Sequence, residues 1–157
     1  MEVIVKHIHN TLIKKQLTVA VAESCTAGLV CSLLAELSGS SKFLLLGVVA
    51  YSNIAKEKIL KVPAALIAKN GAISKKVAAR MAENIRQIAG ADIGIGVTGI
   101  AGPAGGTKEK PVGTVCIAVA AKDKDICQIY RFKGTRSRVR QASALKSLEL
   151  LQKIISK

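Results

Sequence analysis

Three adjacent residues with hydroxyl or thiol groups, Ser24, Cys25 and Thr26, separate an apolar run from a helical pattern. Residues 18–22 have the β-branched and small apolar side chains of a buried strand, and residues 29–37 repeat apolar side chains at helical spacing. A strand, a tight turn and a helix would bring one of the three side chains opposite the free N–H groups of the helix. Such N–H groups suit a phosphate or an oxyanion, so Ser24 and Cys25 are candidate nucleophiles.

A purely structural interpretation accounts for the same residues. Ser24 or Thr26 then caps the helix, and Cys25 packs in the core. This stretch alone favours the structural interpretation, so residues elsewhere in the chain have to decide between the two.

The two histidines of the chain, His7 and His9, both lie in the first predicted helix. Residues two apart on a helix point in different directions, and no further ligand is nearby, so we expect no metal site. An imidazole base is not expected either, because it would have to lie beside the nucleophile. If Ser24 is the nucleophile, its base is another kind of side chain.

Glycines form a second candidate site. Gly94, Gly96 and Gly99 match a dinucleotide-binding pattern, but they lie within a predicted strand that no helix follows directly, so we interpret the match as chance. The glycine-rich loop at residues 99–106 can bind an anion through its N–H groups, although a wide turn is the simpler interpretation.

Arg136, Arg138 and Arg140 lie at the start of the last predicted helix. Positive charge is unfavourable near a helix N-terminus, so this cluster indicates an anionic ligand or partner. Solvated side chains are the alternative, and the pattern alone favours them.

The elements that would position these residues alternate along the chain. The nearly unbroken apolar run at residues 43–50 predicts a central strand covered on both faces, and residues 111–121 and 126–132 predict an antiparallel hairpin. Helices are predicted at residues 3–15, 29–37, 54–61, 75–89 and 137–155. This order predicts an α/β fold, a three-layer α/β/α sandwich with a mixed, mostly parallel sheet, formed by one domain over residues 1–157.

The composition of the 157 residues excludes several classes of function. The formal charge is +14, but Lys and Arg are spread along the chain and only two Tyr and two Phe are available to stack on bases, so specific nucleic-acid binding is not expected. The longest apolar run has nine residues and the N-terminus lacks a signal pattern, which predicts a cytoplasmic protein that does not enter membranes. The four cysteines form no C-x-x-C pair and are expected to be reduced.

Three separated stretches carry a resemblance to a known family. They are residues 22–28 (AESCTAG), residues 51–56 (YSNIAK), and residues 99–103 (GIAGP) together with 111–115 (PVGTV). The chain resembles the CinA C-terminal domain family, whose stand-alone members are nicotinamide-nucleotide amidohydrolases. The resemblance runs from about residue 18 to residue 140 and includes Gly134, Thr135 and Arg136. It does not extend to the molybdopterin-binding-like domain of full-length CinA proteins, so the functions of that domain are not transferred.

The resemblance implies hydrolysis of the carboxamide of nicotinamide mononucleotide to nicotinate mononucleotide and ammonia, without a metal or a cofactor. It makes Ser24 the nucleophile, with Tyr51 and Lys56 as its activating partners. To accept the serine proton, Lys56 must be neutral near pH 7. Lowering its pKa by about three units takes roughly 4 kcal/mol from burial and positive neighbours. Tyr51 would relay the proton or hold the ammonium group by hydrogen bonding.

The expected substrate-binding groups are backbone N–H groups and one guanidinium. The oxyanion is expected on the N–H groups of Thr26, Ala27 and Gly28. Ribose or phosphate is expected on the glycine-rich loop and on an arginine of the last helix, namely Gly99, Gly102, Gly105 and Arg140. Cys25 is a rival nucleophile, because a thiol at a helix N-terminus acidifies readily.

The chain departs from the family pattern at two positions. Ala27 stands where the family usually has glycine, which adds a methyl group beside the expected oxyanion site. Ala104 stands where the family usually has an acidic residue, which removes a polar contact. These departures motivate an alternative, a non-catalytic nucleotide-binding domain. The charge of +14 motivates another, a nucleic-acid or competence-related accessory protein. A homo-oligomer stays open, because small α/β domains often cover exposed apolar faces in this way.

Overall fold

The computed structural model describes residues 2–156 and contains five strands and six α-helices in that range. The elements in chain order are α1 Glu2–Lys15, β1 Val19–Glu23, α2 Leu29–Leu34, β2 Leu44–Val49, α3 Asn53–Lys58, α4 Ala64–Asn70, α5 Lys75–Ala89, β3 Ile93–Gly99, β4 Thr114–Ala121, β5 Asp125–Arg131 and α6 Arg136–Ile155. A short 3-10 turn, Ser40–Lys42, precedes β2. Across residues 2–156, no helix combines the length and the apolarity that crossing a membrane requires.

The strands form one sheet in the order β2-β1-β3-β4-β5. β1 pairs in parallel with β2 and β3, whereas β4 pairs antiparallel with β3 and β5. Four strands therefore point the same way and only β4 is reversed. Helices α1, α2 and α6 pack on one face and α5 on the other. The predicted α/β sandwich with a mixed, mostly parallel sheet is confirmed.

The two faces of the sheet differ in side-chain size. The face toward α1, α2 and α6 carries branched side chains such as Val21 and Ile95, whereas the face toward α5 carries Ala and Gly. A Cβ at Gly94 or Gly96 would collide with backbone atoms of α5. These glycines therefore serve the close approach of a helix to the sheet. This packing explains their match to a dinucleotide-binding pattern without any nucleotide.

The prediction for residues 43–50 is wrong. β2 is an edge strand, paired only with β1, and the side chains of Leu45 and Val49 are 46% and 48% exposed. The strands covered on both faces are β1, all of whose residues are buried, and β3 and β4, which are buried at every residue except the last. An apolar run fits a covered strand, but the length of the run does not show whether a second neighbour is present.

The carboxyl ends of β1, β2 and β3 lie at the same edge of the sheet, because these strands are parallel. Ser24 follows β1, Tyr51 follows β2 after one residue, and Gly99 ends β3. The reversed hairpin of β4 and β5 brings the start of α6 to this edge as well. In open α/β sheets, ligands bind outside the carboxyl ends of the strands. The fold thus gathers the predicted site residues at one edge.

Candidate functional site

Ser24 and Lys56 meet in the interior of the protein. The side chain of Ser24 is 7% exposed and that of Lys56 is 2% exposed. The Nζ of Lys56 lies 3.2 Å from the Oγ of Ser24. Lys56 is carried by α3, whose N-cap Ser52 accepts a hydrogen bond from the N–H of Ala55 at 3.1 Å. The cap stabilises the first turn of α3, the short helix that carries Lys56.

Lys56 is buried without an acidic partner. Its Nζ donates to the backbone carbonyls of Ala50 at 3.1 Å and Tyr51 at 3.3 Å. The ion pairs within residues 2–156 join Arg86 to Glu83 and Lys146 to Glu149, so none involves Lys56. Burial lowers the pKa of Lys56, and Cys25 opposes this effect. Removing a lysine side chain from water without a counter-ion disfavours the ammonium form and so favours the neutral amine.

The three partners of Lys56 match the hydrogen-bonding capacity of a neutral amine. Two of them are carbonyl oxygens, which only accept, and the third is a hydroxyl group, which can donate. A neutral amine can donate to Ala50 and Tyr51 and point its lone pair at the hydroxyl hydrogen of Ser24. This arrangement can withdraw the proton of Ser24 and so activate the serine oxygen as a nucleophile.

The thiol of Cys25 also faces the site cavity, but its chemistry differs from the expectation. Burial is the main cause that raises the pKa of Cys25 to about 12; a backbone hydrogen bond lowers it, the Glu23 carboxylate raises it, and the charges of Lys56 and Arg136 lower it. A thiol with this pKa is protonated at neutral pH, and the thiolate is the reactive form. The contact between Lys56 and Ser24, together with the raised pKa of the Cys25 thiol, favours Ser24 over Cys25 as the nucleophile.

The N–H groups at the start of α2 are already occupied. The Glu23 carboxylate accepts hydrogen bonds from Gly28 at 2.9 Å, Val30 at 3.2 Å and Cys31 at 2.9 Å. The N–H of Ala27 donates to the carbonyl of Ser24 at 3.1 Å. Two of the three expected oxyanion donors, Ala27 and Gly28, are thus engaged elsewhere. Within residues 2–156, only the N–H of Thr26 among the three has no acceptor.

A cavity of about 290 Å³ opens beside Ser24. The predicted residues that line it are Ser24, Tyr51, Lys56, Gly99, Gly102 and Gly105. The predicted residues that do not line it are Thr26, Ala27, Gly28 and Arg140. Sequence reasoning missed several lining residues, among them Asn53, Ile73 and Thr98, and it named Arg136 only as part of the arginine cluster of the last helix. Thr98 also donates to the carbonyl of Ala72 at 3.0 Å, which ties the segment before α5 to β3.

The two arginines one turn apart in α6 have different positions. Arg140 donates through Nε and Nη2 to the carbonyl of Thr26, at 3.3 and 2.9 Å, so it holds the turn after Ser24 from outside the cavity. Arg136 lines the cavity and donates to the carbonyl of Gly102 and to the hydroxyl of Tyr51, each at 2.8 Å. Arg140, the arginine predicted to contact ribose or phosphate, does not line the cavity, whereas Arg136 does. The sequence signal for Arg136 was its position in the first turn of α6, where a positive charge is unfavourable.

Tyr51 contacts the site through two different groups. Its carbonyl accepts from Lys56, while its side chain is 56% exposed and its hydroxyl accepts from Arg136. The hydroxyl therefore lies at the mouth of the cavity beside the guanidinium, and the backbone is the part that contacts the lysine.

The glycine-rich loop forms part of the cavity lining through Gly99, Gly102 and Gly105. Gly102 has a φ of 83°, and a Cβ there would lie 2.5 Å from Cγ1 of Val112. At Gly99 a Cβ would lie 2.7 Å from Cγ2 of Val115. Both positions need glycine because the loop packs directly on the start of β4 and on the residues just before it. The loop thus forms a fixed wall of the cavity.

Metal-ligating side chains do not gather anywhere in the described range. No group of three or more His, Cys, Asp or Glu residues that could hold a metal ion occurs within residues 2–156. The Nδ1 of His9 lies 3.4 Å from the Oδ1 of Asn10 and its Nε2 lies 3.0 Å from the carbonyl of Ser38, while the ring packs edge-on against Phe43. The polar side chains that line the cavity carry hydroxyl groups, a thiol, a carboxamide, an amine and a guanidinium.

Ala27 adopts a backbone conformation that favours glycine. Its φ is 50°, and Gly28 follows with a φ of 92°. The left-handed region costs a residue with a Cβ about 1–2 kcal/mol. This explains why glycine suits the position, independently of any contact with a substrate.

Replacing Ala27 with glycine is expected to stabilise the protein. Relief of the strain exceeds the gain in unfolded-chain entropy, so the free energy of unfolding should rise by roughly 0.5–1 kcal/mol. The matched control is Ala79→Gly, an exposed position inside α5, which should lower it by about 1 kcal/mol. Urea unfolding of both variants measures the two changes. Equal destabilisation by both substitutions would contradict the strain at Ala27.

Comparison with known protein families gives one match over almost the whole chain. The family model described as CinA C-terminal domain matches residues 1–155. A CinA-like protein of Anaeromyxobacter dehalogenans is 53% identical over 134 residues, which are 85% of this chain and 33% of that protein. A CinA-like protein of Desulfotalea psychrophila is 47% identical over 148 residues, 94% of this chain and 36% of that protein. The chain thus spans about a third of the length of these relatives.

Solved structures of similar length have the same fold. The competence/damage inducible protein CihA from Agrobacterium tumefaciens superposes with a TM-score of 0.95 at 35% identity, over 99% of this chain and 95% of that one. A competence-damaged protein (CinA) superfamily protein from Escherichia coli superposes with a TM-score of 0.92 at 34% identity, over 96% of this chain and 88% of that one.

Proposed function

Because the chain belongs to the CinA C-terminal domain family, we propose that it is an amidohydrolase that converts nicotinamide mononucleotide to nicotinate mononucleotide and ammonia. The observation that carries the proposal is the contact at 3.2 Å between the hydroxyl of Ser24 and the buried amine of Lys56. A serine and a neutral lysine form a nucleophile and a general base without an imidazole.

The proposed reaction has two steps that use the same pair. In the first, Lys56 takes the proton of Ser24 as the serine oxygen attacks the carboxamide carbon. The ammonium group then protonates the departing nitrogen, so that the C–N bond breaks, ammonia leaves and a serine ester forms. In the second, Lys56 takes a proton from a water that attacks this ester, and returns it to the serine oxygen as nicotinate mononucleotide leaves.

Other groups at the site would support this chemistry. Among the three expected oxyanion donors, Ala27 and Gly28 are engaged elsewhere and Thr26 does not line the cavity, so none of them is assigned to the oxyanion. Tyr51 would act through its carbonyl, which orients the amine of Lys56, and through its hydroxyl, which holds Arg136.

The size and lining of the cavity support a mononucleotide as substrate. A volume of about 290 Å³ lies just below the range of about 300–1,000 Å³ that is typical of ligand sites, and it favours one nucleotide over a dinucleotide. Ile73 and Ile100 provide an apolar wall for a ring, and Arg136 provides a cation for a phosphate. An amide substrate without a phosphate group would leave Arg136 without an anionic partner.

Arg136→Ala is expected to weaken binding of the nucleotide more than that of its nucleoside. A hydrogen bond to a charged group contributes about 1.5–3 kcal/mol, so KM for nicotinamide mononucleotide should rise roughly 10- to 150-fold. KM for nicotinamide riboside should change little. Arg138→Ala is the matched control, because Arg138 is exposed in the same turn and does not line the cavity. An equal loss for both substrates would contradict a phosphate contact.

The first experiment is release of ammonia from nicotinamide mononucleotide by the purified protein at pH 7 to 9. Turnover that disappears in Ser24→Ala supports the proposal. Thermal stabilisation by the nucleotide without any ammonia would instead support a non-catalytic binding domain. Salt-sensitive binding to DNA of any sequence, with neither of these effects, would support a nucleic-acid accessory protein.

A further inference from the structure

Helix α2 begins without a cap from its own N-terminal residue. The N-cap is Gly28, which has a left-handed backbone and no side chain to accept a hydrogen bond. The first N–H groups of a helix need an acceptor when they are not exposed to water. Here the acceptor comes from the preceding strand, five residues before the cap.

Glu23 provides that acceptor with both of its carboxylate oxygens. Oε2 accepts from the N–H groups of Gly28 and Val30, and Oε1 accepts from that of Cys31. The side chain of Glu23 is fully buried, and no cation pairs with it among the residues that the structure describes. Three charge-assisted hydrogen bonds compensate for the burial of its charge.

We propose that Glu23 is a positioning residue for the reaction, because its carboxylate ties the end of β1 to the start of α2 and so fixes Ser24 at hydrogen-bond distance from Lys56. The inference rests on the proposed function for its kinetic consequence. Ser24 is the residue directly after Glu23, and its carbonyl accepts the N–H of Ala27 within the same turn. Any shift of α2 relative to β1 therefore moves the turn that carries the nucleophile.

The opposite side of the turn is held by Arg140. Its guanidinium donates to the carbonyl of Thr26, whereas the Glu23 carboxylate accepts N–H groups that follow. The carboxylate of Glu23 thus binds N–H groups that follow the turn, and the guanidinium of Arg140 binds a carbonyl of the turn. Lys56 approaches from α3, a separate element, so it does not move with the turn. The distance between Ser24 and Lys56 depends on both elements being fixed.

Two substitutions of Glu23 distinguish the effect of side-chain length from the effect of charge. Glu23→Gln keeps the shape but replaces one acceptor oxygen by an NH₂ group, which cannot accept from an N–H. Glu23→Asp keeps the charge but shortens the side chain by one methylene. A misplacement of about 1 Å can cost about 100-fold in rate, so we expect both variants to lose about 10- to 100-fold in kcat. We expect KM to stay within about threefold, because Arg136 and the glycine-rich loop are untouched.

A matched control distinguishes positioning from stability alone. Asp92 accepts two hydrogen bonds from Thr18 at the opposite edge of the sheet, at 2.8 and 2.7 Å. Asp92→Asn should lower the unfolding temperature but leave kcat unchanged when the assay is run well below that temperature. Unchanged kcat in both Glu23 variants would overturn the proposal. Loss in Glu23→Gln with normal kcat in Glu23→Asp would also overturn it, in favour of a role for the charge.

Two measurements decide the question without turnover. In the unsubstituted protein, the amide hydrogens of Gly28, Val30 and Cys31 should exchange slowly with solvent, as judged by NMR, although first-turn amides are normally unprotected. Fast exchange would overturn the proposal even if the Glu23 variants fail to fold. In a crystal structure of Glu23→Gln, the Ser24 to Lys56 distance should exceed 3.2 Å by about 1 Å. Absence of ammonia release by the unsubstituted protein would refute the proposed function. The amide exchange rates and the Ser24 to Lys56 distance would still test the positioning role of Glu23.

Discussion

Lys56→Met should abolish most of the ammonia release while leaving the protein folded. A positioned base contributes about 10²- to 10⁴-fold, so kcat should fall by that factor. Ser24→Ala should reduce kcat at least as far, because no serine ester can then form. Because the serine and the lysine act as a unit, the double variant should be hardly slower than the slower single variant. Ammonia release from nicotinamide mononucleotide, with circular dichroism to verify the fold, measures these effects.

Two controls make the loss specific. Lys58→Met removes an exposed lysine from the same helix and should leave kcat unchanged, which excludes a general effect of charge on α3. Cys25→Ala should keep most of the turnover, because the raised pKa of Cys25 leaves its thiol protonated. Turnover that survives Ser24→Ala and disappears in Cys25→Ala would make the cysteine the nucleophile and contradict the proposed mechanism.

The strand, turn and helix around Ser24 could be predicted because their signals are local. Residues 18–22 have the composition of a buried strand, and the apolar spacing after residue 28 is helical. The parallel arrangement of β1, β2 and β3 follows from the alternation of strands and helices. Together these features bring the residues that follow each strand to one edge of the sheet. The location of the site was therefore predictable before any side-chain contact was known.

The order of strands in the sheet could not be predicted, because it depends on pairing between distant segments. Residues 43–50 are more apolar than residues 19–22, yet the first segment forms the edge and the second the interior. One face of β2 packs on the core, and Leu45 and Val49 on its other face are half exposed. Composition reports how much apolar surface a strand has, and the neighbours of the strand decide how much of it is covered.

The direction of individual side chains could not be predicted from the sequence either. Arg136 and Arg140 lie four residues apart on one face of α6, so both were compatible with a ligand contact. In the structure Arg136 lines the cavity, whereas Arg140 reaches the carbonyl of Thr26. In the same way, a free helix N-terminus was expected at α2, and only the structure shows that Glu23 occupies it. Each of these contacts joins elements that packing, not local sequence, brings together.

The pKa of Lys56 should govern both the activity and part of the stability. Burial lowers this pKa in the folded protein, whereas an exposed lysine in the unfolded chain titrates near its ordinary value of about 10.4. Between these two values the unfolded state binds more protons than the folded state, so the free energy of unfolding rises with pH in that window. The slope contributed by one lysine is at most about 1.4 kcal/mol per pH unit. Below the lowered pKa both states carry the proton, and the burial penalty is present in full.

Comparison with Lys56→Met isolates this effect. Burial raises the pKa values of Cys25, Cys31 and Cys116, so their titration lowers stability as pH rises, opposite in sign to the lysine. Both proteins contain these thiols, and subtracting the two stability curves removes most of their contribution. The unsubstituted protein should therefore gain stability relative to Lys56→Met as pH rises toward 10.4, and kcat should rise with pH around the same lowered pKa. A stability difference that is independent of pH, or a kcat that rises only near 10.4, would show that Lys56 is an ordinary charged lysine and would remove the general base from the mechanism.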